Sequence, residues 1–201
     1  LLSKTVTTVS YASYKSIPKW IRLIRGQGIM VIQNGFNLER IKKTISEKKN
    51  ENFFLENENL KLISVGALNK NKNIISLINT LTSLDSKIKC ELIILGDGPI
   101  REELEDKANK ILNNNIKIKF MGIVSREDAI LCMNEADVHI SLSKGEGLPI
   151  GVLESMSLGC FSILSDIMPH REINAPEGMC RFIDNNNLSQ INEVLIDVVN
   201  I

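Results

Sequence analysis

From Lys61 onward, short apolar runs alternate with longer segments in which apolar residues recur every three or four positions. The short runs are rich in Ile, Leu and Val, as buried strands are, and the longer segments have helical spacing. This alternation predicts an α/β fold, a parallel sheet with helices on both faces. The predicted strands are 62–66, 90–96, 116–122, 136–143, 160–164 and 181–183, and the predicted helices are 73–84, 100–112, 125–134, one entered near Pro149 and one from about Leu188.

The first sixty residues are less regular. Strands are predicted at 4–10 and 29–32, a turn at Asn34-Gly35, and a helix from Leu38 to about Lys48. The polar stretch KKNENFFLENEN, at 48–59, predicts a surface loop.

The segment 11–26 is basic and has a possible apolar helix face. Its cations could touch a membrane surface, but the cluster is small, so we favour a solvated helix face. The cations are Lys15, Lys19, Arg22 and Arg25.

Glycines follow four of the predicted strands. The carboxyl ends of parallel strands share one edge of a sheet, and ligands of such sheets bind outside that edge. The glycine turns therefore predict a ligand site there. They are Gly66, Gly96-Asp97-Gly98-Pro99, Gly122 and Gly145-Glu146-Gly147.

The stretch 141–159, SLSKGEGLPIGVLESMSLG, is typical of a strand end, a glycine-rich loop and a helix. A loop of this kind leaves backbone N–H groups unpaired at the helix start, where the helix dipole favours phosphate. Glu146 precedes this anion pocket and Glu154 follows it, which suits a ligand with a sugar on one side of a diphosphate and a ribose on the other. Taken singly, each glutamate also has an ordinary interpretation, as a helix-start carboxylate or an exposed helix residue.

Composition narrows the classes of function. The 201 residues allow one large domain, or one domain and part of another, and the 24 cations balance the 24 anions, so nothing favours nucleic-acid binding. The four cysteines form no C-x-x-C pair, and we expect Cys90 and Cys160 to be buried thiols in a reducing compartment. No apolar run approaches 18 residues and no signal peptide opens the chain, so we predict a cytoplasmic protein.

Known cofactor motifs are incomplete. In GDGP, at 96–99, Arg101 stands where a dinucleotide fingerprint needs its third glycine, and no P-loop or metal-ligand spacing occurs. We expect His139 to be packed inside a strand, whereas His170, in a loop after a strand, could line the site. Lys70 and Lys72 follow the strand 62–66 and could stabilise charge on a leaving phosphate, or be surface lysines.

Together these stretches resemble the retaining nucleotide-sugar glycosyltransferases of family 4, which have the two-domain GT-B fold with Rossmann-like domains. Glu146 and Glu154 match the E-x7-E signature of that family. The similar stretches follow the order of the family over most of the chain: 6–10, 31–37, 63–72, 92–99, 118–129, 136–159 and 163–173.

The resemblance implies a catalytic role for Glu146, at the donor sugar, and ribose binding by Glu154. Backbone N–H groups of the loop would hold the diphosphate, Lys72 would balance its charge, and the loop at Ile123-Val124 would face the base. The implied donor-binding residues are Gly66, Lys70, Lys72, Val124, Gly147, Leu148, Ile150 and Glu154. The family transfers sugar with retention and needs no metal or other cofactor, the nucleotide-diphosphate sugar being the substrate.

Two departures from the family matter. Many members carry an arginine where this chain has Ala67, so diphosphate stabilisation would fall on Lys72, with Lys70 as a second candidate. Residues 1–35 match only the end of the N-terminal domain and the interdomain connection, and 36–201 match a donor-binding domain cut short at its C-terminus. We therefore expect an inactive fragment that binds nucleotide weakly, with an acceptor glycan or lipid-linked glycan bound by the missing N-terminal domain.

Three functions fit the sequence. The first is a glycosyltransferase of polysaccharide or glycolipid biosynthesis, with peripheral contact to the inner face of the membrane. The second is a nucleotide-sugar epimerase of the same architecture, and the third is a non-catalytic nucleotide-sugar binding module. A dehydrogenase is disfavoured, because neither glycine-rich turn has the required spacing.

Overall fold

The computed structural model describes residues 5–33, 35–48, 52–55, 58–84, 88–111 and 113–199. The alternation of strands and helices predicted from the sequence is confirmed. The strands are β1 (Val6–Thr8), β2 (Ile29–Val31), β3 (Leu60–Val65), β4 (Cys90–Leu95), β5 (Ile116–Gly122), β6 (Val138–Ser141), β7 (Phe161–Ser165) and β8 (Cys180–Ile183). The helices are α1 (Tyr11–Ser16), α2 (Lys19–Arg25), α3 (Leu38–Glu47), α4 (Ile74–Thr82), α5 (Arg101–Ala108), α6 (Arg126–Glu135), α7 (Ile150–Ser157), α8 (Met168–Arg171) and α9 (Gln190–Val199).

Within the described residues, six parallel strands form the main sheet in the order β5-β4-β3-β6-β7-β8. The chain builds outward from β3 to β5 and then returns to place β6 on the other side of β3. The order of the strands therefore reverses between β3 and β6, where the Cα of Leu62 lies opposite that of Val138. Strands β1 and β2 pair with each other in a separate parallel sheet.

Helices cover both faces of the main sheet, as predicted. Alternate residues of β3 and β4 point to opposite faces, because the side-chain period of a strand is two. Leu62 and Leu92 belong to the apolar cluster that contains residues of α4, α5 and α9. Ile63 and Ile93 belong to the cluster that contains residues of α3 and α6. Cys90, Cys132 and Cys160 are buried free thiols, in line with the expectation for Cys90 and Cys160.

Several local expectations were wrong or incomplete. The segment 11–26 forms two helices, since Pro18 lacks the N–H that a continuous helix would need, and it precedes α2 as the cap residue. The segment containing His170 forms the four-residue helix α8 rather than a loop, with Pro169 in its first turn. Of the predicted turn Asn34-Gly35, Asn34 lies outside the described residues, as does Lys4 of the first predicted strand.

The stretch 48–59 is not simply a surface loop. Its residues 49–51, 56 and 57 lie outside the described part, but Phe53 and Phe54 are buried against α3 and α6. The backbone N–H of Phe53 donates to Glu135 Oε2 at 3.0 Å, and the N–H of Leu55 donates to Glu91 Oε2 at 2.8 Å. Two aromatic side chains therefore anchor a segment whose polar composition predicted full exposure.

The carboxyl edge of the sheet is tightly packed at its glycines. A Cβ added to Gly96 would lie 2.1 Å from the carbonyl oxygen of Gly66, and one added to Gly98 would lie 2.3 Å from that of Leu68. Gly96 also forms a bridge with Gly122. The glycine turns after β3, β4 and β5 thus meet at one edge, as the sequence predicted.

None of the helices in the described ranges combines the length and the apolar character that a membrane crossing requires.

We expect Gly98→Ala to lower the free energy of unfolding by about 3 kcal/mol, the upper range for overpacking, because its methyl group would collide with backbone atoms that cannot move aside. Gly35→Ala is the control, since a Cβ there meets nothing within 4 Å, and we expect a change within about 0.5 kcal/mol. Urea unfolding measures both, and equal free energies for the two variants would contradict the packing described at this edge.

Candidate functional site

A cavity of about 210 Å³ lies at the carboxyl edge of the sheet where the strand order reverses. Parallel sheets bind ligands at such a switch point, because the loops after the two neighbouring strands diverge there. Both of those strands and the first turn of α7 contribute to its walls. The lining residues are Val65, Gly66, Lys72, His139, Ser141, Glu146, Leu148, Pro149, Ile150, Gly151 and Val152.

An ion pair crosses this cavity from the loop after β3 to the loop after β6. Lys72 Nζ lies 2.5 Å from Glu146 Oε1, and the two side chains are 23% and 10% exposed. Ser143 Oγ donates to the same carboxylate oxygen at 2.6 Å. Two donors therefore fix Glu146, and the pair is shielded from water more than an ordinary surface ion pair, whose contribution is small.

The glycine at the end of β3 allows Lys72 to reach the cavity. A Cβ on Gly66 would lie 2.9 Å from Lys72 Cε, so a side chain there would displace the lysine stem. The turn that presents Lys72 is held by Asn69, whose Oδ1 accepts from the backbone N–H groups of Asn71 at 3.0 Å and Lys72 at 3.1 Å.

The start of α7 forms another wall of the cavity. The N–H groups of Val152 and Leu153 both bond the Pro149 carbonyl, at 3.1 and 3.2 Å, and the N–H of Ile150 bonds the Leu148 carbonyl at 3.0 Å. Gly151, in the first turn, also lines the cavity. Three N–H groups at the helix start are therefore already bonded to carbonyl oxygens, and the attraction of this wall for an anion rests on the helix dipole and on any N–H group that exchanges its carbonyl for the ligand.

Two buried histidines lie close to the cavity. His139 is packed within β6, as predicted, but it also reaches the cavity wall. Ser155 Oγ donates to the Gly151 carbonyl at 2.9 Å, so His139 Nδ1, at 2.6 Å from that hydroxyl, must be the donor to it. Burial lowers the pKa of His139 to about 3, and the ring is therefore neutral near pH 7.

His170 lies behind the cavity and is not among its lining residues, contrary to the suggestion that it could line the site. Its Nδ1 lies 2.8 Å from the Ser165 carbonyl oxygen, which can only accept, so Nδ1 carries the proton. Burial, the largest influence, lowers the pKa of His170 as well.

The structure brings some of the predicted site residues together. The cavity is lined by Gly66, Lys72, Glu146, Leu148 and Ile150. Gly147 lies beside them, where an added Cβ would be 3.2 Å from Val9 Cγ2. Their roles toward a ligand stay predictions.

Other predicted site residues lie elsewhere. Lys70 is exposed and does not line the cavity, so Lys72 is the lysine of this turn that reaches it. Val124 is half-buried and packs against the cluster that contains α6. Neighbouring Ile123 is the exposed residue of that loop.

Glu154 is not among the residues that line the cavity. Its carboxylate is only 6% exposed and pairs through Oε1 with Nη2 of Arg126, whose side chain is 46% exposed. The arginine therefore covers this carboxylate. Sequence reasoning missed the contact, because a pair formed between α6 and α7 leaves no pattern in a sequence.

Ser143 was also missed. A serine three residues before the glutamate, in the same short loop, is a signal that could have been used, since side-chain contacts over three residues are common in turns.

The chain is similar to known proteins in sequence and in fold. Residues 44–201 match the family model described as Glycosyl transferases group 1. An uncharacterised glycosyltransferase of Methanocaldococcus jannaschii is 32% identical over 187 residues, which are 84% of this chain and 47% of that protein. The GDP-mannose-dependent alpha-(1-6)-phosphatidylinositol dimannoside mannosyltransferase of Mycobacterium tuberculosis is 30% identical over 122 residues, which are 59% of this chain and 31% of that protein.

Among solved structures, that of the Anabaena protein HepE in complex with UDP and glucose is similar, with a TM-score of 0.74 and 17% identity over 98% of this chain and 54% of that one. At this level of identity the likeness concerns the fold. The chain spans less than half the length of the two relatives named above.

The neutral buried His139 makes stability depend on pH. Below about pH 6.5, the ordinary pKa of histidine, the unfolded chain binds a proton that the folded chain does not, so stability falls as the pH drops toward about 3. From about pH 7.5 to about pH 5.5 we expect His139 to account for a loss of about 1.4 kcal/mol. His139→Asn removes this titration, and His170 titrates in both proteins. Urea unfolding of both proteins at both pH values measures this loss. Equal losses of stability in wild type and variant would contradict the assignment.

Proposed function

The chain belongs to the group 1 glycosyl transferases, and from that membership we propose that it is the donor-binding half of a retaining glycosyltransferase. The whole protein would transfer a sugar from a nucleotide-diphosphate sugar to an acceptor. The observation that carries the proposal is the Lys72–Glu146 pair in a cavity that also receives the start of α7.

The diphosphate would lie between Lys72 and the start of α7. An ammonium group has three N–H donors, so Lys72 can keep its bond to Glu146 and still donate to phosphate oxygens. Backbone N–H groups of Gly147 and Leu148 would complete the anion site, helped by the helix dipole, and the N–H of Ile150 would join them by exchanging its bond to the Leu148 carbonyl for a phosphate oxygen.

The donor sugar would lie against Glu146. Both contacts of this side chain fall on Oε1, so Oε2 is the oxygen that would face the sugar. There it would orient the hydroxyls and shield the positive charge that develops at the anomeric carbon.

Cleavage of the donor leaves negative charge on the diphosphate, which Lys72 would stabilise. Ala67 carries no charge, and Lys70 is exposed and outside the cavity wall, so Lys72 is the cation to which we assign this task. Because Lys72 and the start of α7 supply positive character, we propose that donor binding needs no metal.

The nucleoside would extend toward the loop after β5. Ile123 is 84% exposed there and offers an apolar contact to a base, next to Val124. The ribose hydroxyls would bond to Glu154, sharing the carboxylate with Arg126.

The acceptor would bind parts of the protein outside this chain. The Mycobacterium relative is named for a phosphatidylinositol dimannoside, which supports a lipid-linked or polysaccharide acceptor here. A lipid-linked acceptor requires access to a membrane surface.

Helix α2 fits such a surface. Trp20, Leu23 and Ile24 are 63%, 82% and 76% exposed, and Lys19, Arg22 and Arg25 alternate with them. Residues 1–38 contain five Lys or Arg and no Asp or Glu. Exposed apolar groups among cations suit an anionic membrane, so we propose that α2 contacts the inner face of the membrane.

Titration of the chain with UDP-glucose, GDP-mannose, UDP and GDP tests donor binding. We expect one nucleotide sugar to bind, with and without EDTA, and Lys72→Met to weaken it at least about tenfold through loss of a charged donor. The control Lys70→Met should change the affinity less than about twofold. Glu146→Gln should reduce the amount by which the nucleotide sugar binds more tightly than the free nucleotide. The proposal fails if neither nucleotide sugar binds, or if both lysine variants weaken binding equally.

Sedimentation with vesicles tests the membrane contact. Vesicles containing phosphatidylglycerol should bind the chain, and Leu23→Ser should weaken that binding about tenfold, since an inserted Leu contributes roughly 1.5–3 kcal/mol. Leu55→Ser removes an exposed leucine of another surface and should leave binding unchanged. Equal binding to vesicles of phosphatidylcholine alone, or equal losses in the two variants, would refute this contact.

A further inference from the structure

A cluster of buried polar side chains lies behind the cavity, where apolar packing would be expected. Ser143, Ser165 and His170 are each fully buried, although they come from the loop after β6, the end of β7 and α8. Buried polar groups are costly unless they are hydrogen-bonded, and a satisfied network rigidifies its surroundings.

Three short hydrogen bonds join these residues in one direction. His170 Nδ1–H donates to the Ser165 carbonyl oxygen at 2.8 Å. The Ser165 hydroxyl donates to the Ser143 carbonyl oxygen at 2.6 Å, and the Ser143 hydroxyl donates to Glu146 Oε1 at 2.6 Å. Each serine thus accepts through its backbone and donates through its side chain, and the chain of bonds ends on the site carboxylate.

The direction of the first bond follows from chemistry. A carbonyl oxygen only accepts, so Nδ1 of His170 holds the proton, and Nε2, at 3.5 Å from Ser141 Oγ, is left as an acceptor. A neutral imidazole in this tautomer agrees with its burial.

We propose that Ser143, Ser165 and His170 form a positioning relay that fixes Glu146 at the donor sugar; this rests on the proposed function. Lys72 also holds Glu146, but with a donor bound it would share its ammonium group between this carboxylate and the diphosphate. The Ser143 hydroxyl lies 2.6 Å from Glu146 Oε1 and 3.4 Å from the Ser141 hydroxyl, so its main bond is to the carboxylate, which it keeps in place while Lys72 engages the phosphate. His170 acts at a distance, as the fixed end of the relay.

A purely structural role for His170 makes the opposite prediction for a pair of variants. His170→Asn keeps an N–H donor near the position of Nδ1 but leaves unfilled volume, whereas His170→Leu fills the volume and removes the donor. If the hydrogen-bonded chain positions Glu146, His170→Asn should leave the surroundings of the Glu146 carboxylate as in wild type, and His170→Leu should change them. A packing role requires the reverse.

The side-chain carboxyl ¹³C resonance of Glu146 in the full 201-residue chain, without ligand, reports on the relay. Ser143→Ala identifies the resonance position without the serine bond. We expect Ser165→Ala and His170→Leu to shift the resonance toward that position, and His170→Asn to stay with wild type. Ser162→Ala is the matched control, since Ser162 is also buried on β7 but its hydroxyl has no partner in the described part of the chain.

Thermal unfolding of each variant separates loss of the fold from loss of the relay. If His170→Leu does not fold, Ser165→Ala still tests the relay, because this smaller change removes only one hydroxyl group. The relay is refuted if Ser165→Ala leaves the Glu146 resonance unchanged, or if His170→Leu matches wild type while His170→Asn does not. This readout needs no ligand, so it stands even if no nucleotide sugar binds.

Titration with UDP-glucose and GDP-mannose connects the relay to the donor site. For the nucleotide sugar that binds, Ser165→Ala should lower the affinity about fivefold, which is the effect of one lost hydrogen bond. The affinity for the free nucleotide should change less than about twofold. Equal losses for sugar and free nucleotide would contradict a role in holding Glu146 at the sugar.

Discussion

The contact between Lys72 and Glu146 connects the two halves of the sheet, β3 to β5 on one side and β6 to β8 on the other. Lys72 follows β3, from which the chain builds toward β5, and Glu146 follows β6, from which it builds toward β8. Only because β6 returns to lie beside β3 do two loops so far apart in sequence face each other. The ion pair therefore depends on the strand order, and the cavity between the two loops exists for the same reason.

The surroundings of that pair differ from the rest of the interior. The two faces of the sheet are packed with Ile and Leu, which need no specific partners. Around the cavity, His139 bonds to Ser155, Ser165 bonds to Ser143, and His170 bonds to Ser165. Apolar packing stabilises the fold without fixing one carboxylate precisely, whereas directional bonds can do so.

The second carboxylate of the E-x7-E pair has a different environment. Glu146 is held by a lysine and a serine inside the cavity, whereas Glu154 is covered by the half-exposed Arg126 of the neighbouring helix. Two glutamates that belong to one sequence motif therefore need not be equally accessible to a ligand. A ligand at Glu154 would have to share the carboxylate with Arg126, whereas a ligand at Glu146 would meet a carboxylate held by Lys72 and Ser143.

The sequence alone determined the α/β class, the position of nearly every strand and helix, and the edge where the glycine turns meet, because hydrophobic period and glycine chemistry are local properties. It also placed Lys70, Lys72 and Glu146 after strands, and the family resemblance implied roles for them at a donor site. Tertiary structure decided what periodicity cannot encode: the burial of Phe53 and Phe54, the four-residue helix at His170, and the pairing of Arg126 with Glu154. It also separated Lys72 from Lys70. Those outcomes depend on which strands become neighbours, and contacts between residues distant in the chain are set by that order rather than by any local pattern.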